Sequence, residues 1–237
     1  MRKLPTVTKN LLIINAIVFF ASLVAEKYDI DLDALLGLHY FQAADFHVHQ
    51  LLTYMFMHSG FDHLFFNMFA VFMFGVVLEN VWGSQRFLFF YLTCGLGAGL
   101  VQEAVQFIQF MPYMDAINTL TAYSPMDLVN IGGIERTSSA WLAAYQTAIN
   151  YPTVGASGAV YGILLAFGML FPNQQLFIIP IPVPIKAKWL IIGYFVLELA
   201  LAFLAKGDHV AHFAHLGGMI FGFLLIIYWR KHGKGYR

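Results

Sequence analysis

Six long apolar runs constrain this chain more than any other feature of its sequence. They are 15–24 residues long and cover residues 11–25, 64–78, 87–110, 155–171, 189–204 and 210–228. Several are shorter than the ~20 residues that a lone transmembrane helix prefers. A water-soluble core could bury one or two such helices. Here, however, only 11% of the 237 residues are charged and 59% are hydrophobic, whereas an ordinary soluble domain has about 25% charged and about 45–50% apolar residues. The sequence therefore predicts one membrane domain over residues 1–237, an all-α bundle of six transmembrane helices.

Basic residues are unequally distributed between the two sides of such a bundle. With six spans both termini lie on the same side, and of the 13 Lys and Arg residues only Lys27, Arg136 and Lys206 fall on the other side. Cytoplasmic loops carry the excess of Lys and Arg, so both termini are expected to be cytoplasmic. Spans two, four and six then run inward, and segments 26–62 and 111–153 are long outer loops.

Charge balance and cysteine content exclude several other classes of protein. The formal net charge is zero, whereas a nucleic-acid-binding domain presents a basic face, so no nucleic-acid partner is expected. Cys94 is the sole cysteine, and one cysteine forms neither an internal disulfide nor a cysteine-based zinc site. The lipid bilayer is the expected partner, no metal or other cofactor is expected, and the oligomeric state is left open.

Polar side chains concentrate at the outer ends of the three inward-running spans. Span two begins with His63 and Asn67, span four with Ser157, and span six contains His215. Polar groups within a span need partners or a water-filled cavity, and they mark function by default. At 1.5 Å per residue, Ser157 and His215 both lie roughly 3–8 Å below the start of their helices. Their depths in the bundle therefore match, although they are far apart in the sequence.

Pairs of glycines lie just below this serine and this histidine. Gly158 and Gly162 are four residues apart in span four, and Gly218 and Gly222 have the same spacing in span six. Small residues at this spacing let two membrane helices approach closely. Close packing of spans four and six is what a hydrogen bond between the serine and the histidine would require.

The chemistry that these residues suggest is nucleophilic catalysis. A serine hydroxyl is a weak nucleophile unless an adjacent base takes its proton, and His215 is the candidate base for Ser157. A tetrahedral oxyanion needs donors placed in advance, and His63, Asn67 and the backbone N–H of Ser157 are the candidates.

An orienting carboxylate is not evident in the sequence. Glu103 and Glu198 lie within spans three and five, but nothing in the sequence places either one beside His215. A catalytic pair is therefore predicted rather than a triad.

Each of these residues also has a simpler interpretation. Ser157 could cap its helix, as serine commonly does at a helix start. His63 and Asn67 could form only an interhelical hydrogen-bond pair. Imidazole is a common metal ligand, so span six could bind a metal through His209, His212 and His215.

Three segments, in order along the chain, resemble motifs of the rhomboid family of intramembrane serine proteases. They are similar to the family's first loop and second span from His49 to Asn67, its nucleophile motif from Gly155 to Gly158, and its last core span from Ala214 to Gly222. The resemblance implies a six-helix rhomboid-like bundle that cleaves membrane-anchored proteins in or near their transmembrane segments. It also implies a location in a bacterial cell (inner) membrane, with the active site open to the extracytoplasmic side.

Roles for individual residues follow from the same resemblance. Ser157 would be the nucleophile and His215 the general base, while His63, Asn67 and the Ser157 amide would line the oxyanion hole. Tyr161 matches the aromatic residue that packs on the catalytic histidine. The remaining supporting positions are the glycines Gly155, Gly158, Gly218 and Gly222.

Two other functions compete with this hypothesis. One is a catalytically inactive, rhomboid-like protein that binds membrane clients, which the presence of both Ser157 and His215 disfavours. The other is a transporter with a histidine-lined metal path. Such a path would need carboxylates along it, but the predicted spans contain only Glu103 and Glu198 near their centres.

Overall fold

A computed structural model of the protein describes residues 3–111, 151–178, 181–204 and 211–233. The predicted outer loop 111–153, apart from its two ends, and the candidate ligand His209 lie outside the described residues. The helices are α1 (Thr6–Glu26), α2 (Leu32–Leu36), α3 (Gln50–Thr53), α4 (Phe61–Ala70), α5 (Val76–Trp82), α6 (Ser84–Phe110), α7 (Ser157–Leu170), α8 (Ala187–Leu204) and α9 (His212–His232). A 3₁₀ turn, Tyr54–Phe56, follows α3, and a π-helical segment, Val71–Gly75, joins α4 to α5.

The predicted helical membrane bundle is confirmed. Within the described residues, five helical stretches are long and apolar enough to cross a membrane: Thr6–Glu26, Phe61–Trp82, Ser84–Phe110, Ala187–Leu204 and His212–His232. The fourth predicted span corresponds to the 14-residue helix α7. A helix of this length rises about 21 Å, which is less than the ~30 Å hydrocarbon core of a bilayer. The number of six spans and the cytoplasmic location of the termini stay predictions.

A two-stranded hairpin between α7 and α8 was not among the predictions. Strand β1 (Gln175–Ile178) pairs antiparallel with strand β2 (Ile181–Lys186). Proline fits neither a helix interior nor a central strand, but it is tolerated in an edge strand. Pro182 and Pro184 therefore explain why this apolar segment is extended rather than a continuation of helix α8.

Glu79 connects the start of the first span to the end of the second. The first N–H groups of a helix have no acceptor within the helix, and a negative charge is favourable there. No side chain adjacent to α1 caps it. Instead, the Glu79 carboxylate accepts hydrogen bonds from the Val7 amide (2.9 Å), the Thr8 amide (2.7 Å) and the Thr8 hydroxyl (2.7 Å).

The described part of the first outer loop packs into the protein instead of lying free in solvent. Leu38 and Tyr40 are fully buried, and the buried Gln50 side chain accepts from the backbone amides of residues 39 and 47. Glu103 of α6 accepts a hydrogen bond of 2.7 Å from the Phe41 amide. This intramembrane carboxylate therefore anchors the outer loop.

Helices α7 and α9 make backbone contact at a pair of glycines. A Cβ atom built on Gly218 would lie 1.8 Å from the carbonyl oxygen of Gly158. A Cβ atom on Gly158 would lie 2.3 Å from the Cβ of Ala98 on α6. Even the smallest side chain at either position would therefore force the three helices apart.

The second glycine of each pair packs on Cys94. A Cβ on Gly162 would lie 2.5 Å from the Cys94 sulfur, and one on Gly222 would lie 3.2 Å from it. Cys94 itself is fully buried, so this cysteine acts as a small core residue. The contact of α6, α7 and α9 thus continues for at least one helical turn below the first pair of glycines.

We predict that Gly218→Ala destabilises the protein, because the added methyl group meets backbone atoms that no rotamer change can move. Overpacking of this kind typically costs about 1–3 kcal/mol. The thermal unfolding midpoint in detergent should fall. Gly193→Ala in α8 is the matched control, since a Cβ at Gly193 has no heavy atom within 4 Å and alanine is the better helix former. Equal midpoints for the two variants would contradict the close contact.

Candidate active site

Ser157 is the first residue of α7, and its side chain bonds to another helix. The residue at the cap position of α7 is Ala156, and no side chain caps this helix. The Ser157 Oγ instead lies 2.8 Å from Nε2 of His215 on α9. The interpretation of Ser157 as a helix cap is therefore wrong in this structure.

The turn before Ser157 requires glycine for two reasons. Gly155 has a φ of +129°, which side chains rarely allow, and its amide donates to the carbonyl oxygen of Tyr54 at 2.9 Å. A Cβ at Gly155 would also lie 2.7 Å from Cε1 and Nε2 of His63. The His63 ring therefore rests directly against the turn that presents Ser157.

His63 and Asn67 lie one helical turn apart on α4, and the His63 ring faces the turn before Ser157. The Nδ1 of His63 is 3.1 Å from the Ser59 hydroxyl. When Ser59 donates this bond, the proton of the neutral ring is on Nε2, the nitrogen that faces Gly155. The Asn67 side chain is buried, and its Nδ2 has no hydrogen-bond partner among the described residues. His63 thus offers a ring nitrogen beside the turn that presents Ser157, and Asn67, one turn further along α4, offers an amide donor.

His58 is a further histidine of this region, and the sequence predicts no role for it. Its ring centroid is 5.1 Å from that of His63. Burial, with a smaller contribution from His63, lowers the pKa of His58 to about 4. The His58 ring is therefore neutral at neutral pH, so it adds no positive charge beside His63.

Tyr161 packs against the face of the His215 ring. The two ring centroids are 4.3 Å apart and the planes are tilted by only 12°. Tyr161 lies one turn after Ser157 on α7, so the helix that carries the serine also supports the histidine. The Tyr161 hydroxyl donates a hydrogen bond to Oε1 of Glu198 on α8.

Glu198 is a carboxylate beside His215 that was not evident from the sequence. Its Oε2 is 3.0 Å from Nδ1 of His215 and 2.6 Å from Nδ1 of His212. The Glu198 side chain is buried, whereas Glu103, the other candidate, binds the outer loop. The rotation of α8 about its axis decides which of its faces meets α9, and the sequence does not give it. One signal was present: a charged residue in an apolar span needs a partner, and span six offers histidines.

The same three side chains bear on the metal-site alternative. One ligand atom each from Glu198, His212 and His215 lie within 4.8 Å of one another. Two ligands of a tetrahedral zinc ion, at bonds of 2.0–2.1 Å, stand about 3.3 Å apart. The 2.6 Å contact between His212 and Glu198 is shorter than that and corresponds to a charge-assisted hydrogen bond. The arrangement thus favours a proton between these atoms over a metal ion.

Taken together, these contacts define what the site can do chemically. The Ser157 hydroxyl contacts Nε2 of His215. Tyr161 packs on the face of the His215 ring, and the Glu198 carboxylate lies 3.0 Å from its Nδ1. The His63 ring lies against the turn before Ser157, and the buried Asn67 amide on the same helix α4 has no hydrogen-bond partner among the described residues. A contact between a serine hydroxyl and the nitrogen of a histidine ring is what activation of a serine nucleophile requires.

Comparisons with known proteins agree on a single family. The family model of the rhomboid domain matches residues 45–111 and 126–232. The chain is 26% identical, over 92% of its length and 63% of the relative, to an uncharacterized mitochondrial rhomboid protein of Schizosaccharomyces pombe. It is 25% identical, over 74% of its length and 64% of the relative, to the putative rhomboid protease YdcA of Bacillus subtilis. It is 28% identical to the mitochondrial RHOMBOID-like protein 12 of Arabidopsis thaliana, over 97% of its length and 59% of the relative. The chain thus spans less than two thirds of each of these relatives.

Proposed function

This chain belongs to the rhomboid family, and from that membership we propose that it is an intramembrane serine endopeptidase that cleaves other membrane-anchored proteins in or near their transmembrane segments. The observation that carries the proposal is the 2.8 Å contact between Ser157 Oγ and His215 Nε2. Relatives named as rhomboid proteases support it, among them YdcA and GluP of Bacillus subtilis and AarA of Providencia stuartii.

In the proposed reaction, Ser157 Oγ attacks the carbonyl carbon of the scissile peptide bond while His215 Nε2 takes the hydroxyl proton. The tetrahedral intermediate collapses when the C–N bond breaks, and His215 gives the proton to the departing amine. Water then attacks the Ser157 ester, and His215 takes a proton from this water. His215 returns a proton to the Ser157 oxygen when the ester bond breaks. The charge that develops is an oxyanion on the former carbonyl oxygen. His63, Asn67 and the backbone N–H of Ser157 are the proposed donors to it.

The depth of Ser157 fits a substrate that resides in the membrane. Helix α7 is shorter than the hydrocarbon core of the bilayer, and Ser157 is the first residue of this helix. If its C-terminal end lies at the cytoplasmic surface, Ser157 is recessed roughly 9 Å below the opposite surface. A recessed serine would need both water and a transmembrane segment to reach it from the outer half of the bilayer.

We propose that both termini are cytoplasmic and that the active site opens to the other side of the membrane. The distribution of Lys and Arg supports this orientation. A reporter fused to the C-terminus that works only in the cytoplasm should be active. If it is inactive, and a reporter that works only outside the cytoplasm is active instead, the orientation is contradicted.

The chain is an integral membrane protein. A bacterial inner membrane is the proposed location, although relatives occur in mitochondria as well as in bacteria.

We expect Ser157→Ala and His215→Ala each to reduce cleavage of a transmembrane substrate below detection. The double variant should be no worse than either single variant, because groups that act as one unit are strongly non-additive. Cleavage is measured by the appearance of the two fragments in detergent or liposomes. Ser22→Ala and His232→Ala are matched controls, since in the described part of the chain the Ser22 hydroxyl bonds within α1 and the His232 ring bonds within α9.

Persistent cleavage by the Ser157→Ala variant would refute the proposal. Normal binding of a client without any cleavage by the unmodified protein would instead favour the inactive, client-binding function. A transporter would move metal ions across liposomes in a way that depends on His212 and not on Ser157.

Asn67→Ala should lower kcat with little change in KM, because the oxyanion exists only near the transition state. Loss of one oxyanion donor in a soluble serine protease costs on the order of 10²–10³ in kcat. The two remaining donors make a smaller loss expected here. Asn80→Ala is the control, because the Asn80 side chain is exposed and bonds within its own helix. Unchanged turnover of the Asn67→Ala variant would remove this residue from the oxyanion hole.

A further inference from the structure

We infer that Glu198 is a positioning residue that orients His215 for catalysis, so that the site works through three connected side chains rather than a pair. The inference rests on the proposed function. Glu198 would keep the proton of the neutral His215 ring on Nδ1, which leaves the lone pair of Nε2 directed at Ser157.

The Glu198 carboxylate is held from both of its oxygens. Oε1 accepts from the Tyr161 hydroxyl of α7, and Oε2 accepts from Nδ1 of His212 at 2.6 Å. The His215 Nδ1 then lies 3.0 Å from the same Oε2. Three helices thus converge on one buried carboxylate, which is 4% exposed.

The contact to His215 is close, but its N–H direction is less well aligned than that of His212. By strict hydrogen-bond geometry the Nδ1 of His215 has no formed bond among the described residues. Catalytic hydrogen bonds are often long or poorly aligned without substrate and tighten in the reacting complex. A small rotation of the imidazole ring, which Tyr161 supports from its face, would align this bond.

Burial explains why this carboxylate must have such partners. An ionised side chain inside a span is expensive, and it is tolerated where it is paired. Tyr161 and His212 satisfy Glu198 even before His215 acts, so the carboxylate is fixed in advance. When the Ser157 proton moves to Nε2, His215 becomes an imidazolium ion next to a carboxylate. The carboxylate stabilises that charge without taking the proton itself.

His212 and Tyr161 acquire positioning roles from this arrangement. His212 is three residues before His215 on α9, so the two side chains are neighbours on the surface of the helix. Both rings reach Oε2 of Glu198. Tyr161 contacts His215 through its ring and Glu198 through its hydroxyl. The position and the tautomer of the catalytic histidine would therefore be set from its face and from its edge.

The test is the isosteric variant Glu198→Gln, with Glu103→Gln as the matched control. Glu103 is the other buried glutamate near the centre of a span, but its partner is the Phe41 amide at the outer loop. In a soluble serine protease the corresponding loss of charge lowers kcat by about 10⁴. Because Tyr161 still supports the ring here, we expect a fall in kcat of about 10²–10³-fold for Glu198→Gln, with KM within about twofold. The control should keep its kcat within about threefold.

Two further measurements separate positioning from a purely structural role. Tyr161→Phe keeps the stacked ring and removes only the hydroxyl that holds Glu198, so kcat should fall about 3–10-fold at unchanged KM. This variant also tests the inference if Glu198→Gln does not fold. In the unmodified protein labelled with ¹⁵N-histidine, the ¹⁵N shifts of the neutral His215 ring should identify the tautomer that carries its proton on Nδ1. This tautomer should be lost in Glu198→Gln and kept in Glu103→Gln.

The possible results distinguish this inference from the proposed function. Loss of activity in Ser157→Ala with unchanged kcat in Glu198→Gln or Tyr161→Phe would overturn the role of Glu198 alone. Unchanged activity in Ser157→Ala would overturn the proposed function itself. Loss of the activity of the unmodified protein in EDTA, with recovery on adding zinc, would overturn the inference by making Glu198, His212 and His215 metal ligands.

Discussion

The contact between Gly158 and Gly218 is the constraint on which the rest of the site depends. Membrane helices gain little from burying apolar side chains, since lipid is equally apolar, and they associate mainly through close packing and interhelical hydrogen bonds. With no Cβ at either position, α7 and α9 approach until backbone meets backbone. That approach brings the serine at the start of α7 within hydrogen-bond distance of the histidine on α9. A wider spacing would leave both polar groups in the bundle without their partner.

Three buried glutamates of the described helices each hold a different part of the structure in place. Glu79 holds the start of α1, Glu103 holds the outer loop, and Glu198 holds the histidines of α9. Each carboxylate accepts from groups far away in the sequence, so each one fixes how two elements sit against each other. The same physical need, to satisfy a charge in an apolar setting, thus supports the scaffold in two places and the candidate active site in the third.

Much of this arrangement was predictable from the sequence because membrane helices are long and apolar. The positions of the apolar runs anticipated the main helices, and the depth argument anticipated that Ser157 and His215 could meet. Glu198 was missed because its partners belong to α7 and α9, and the sequence does not give the rotation of α8. The hairpin Gln175–Lys186 was missed because apolar periodicity in a short segment rich in proline carries little information about pairing.

The central claim is that Ser157 is a nucleophile activated by His215, and covalent labelling with a serine-reactive fluorophosphonate tests it most directly. The probe needs no knowledge of the natural substrate, and mass spectrometry of the labelled protein identifies the modified residue. We predict a single adduct on Ser157 in the unmodified protein, none in Ser157→Ala, and strongly reduced labelling in His215→Ala although that variant keeps the serine. Equal labelling of the Ser157→Ala variant, or full-rate labelling of Ser157 without His215, would contradict the account.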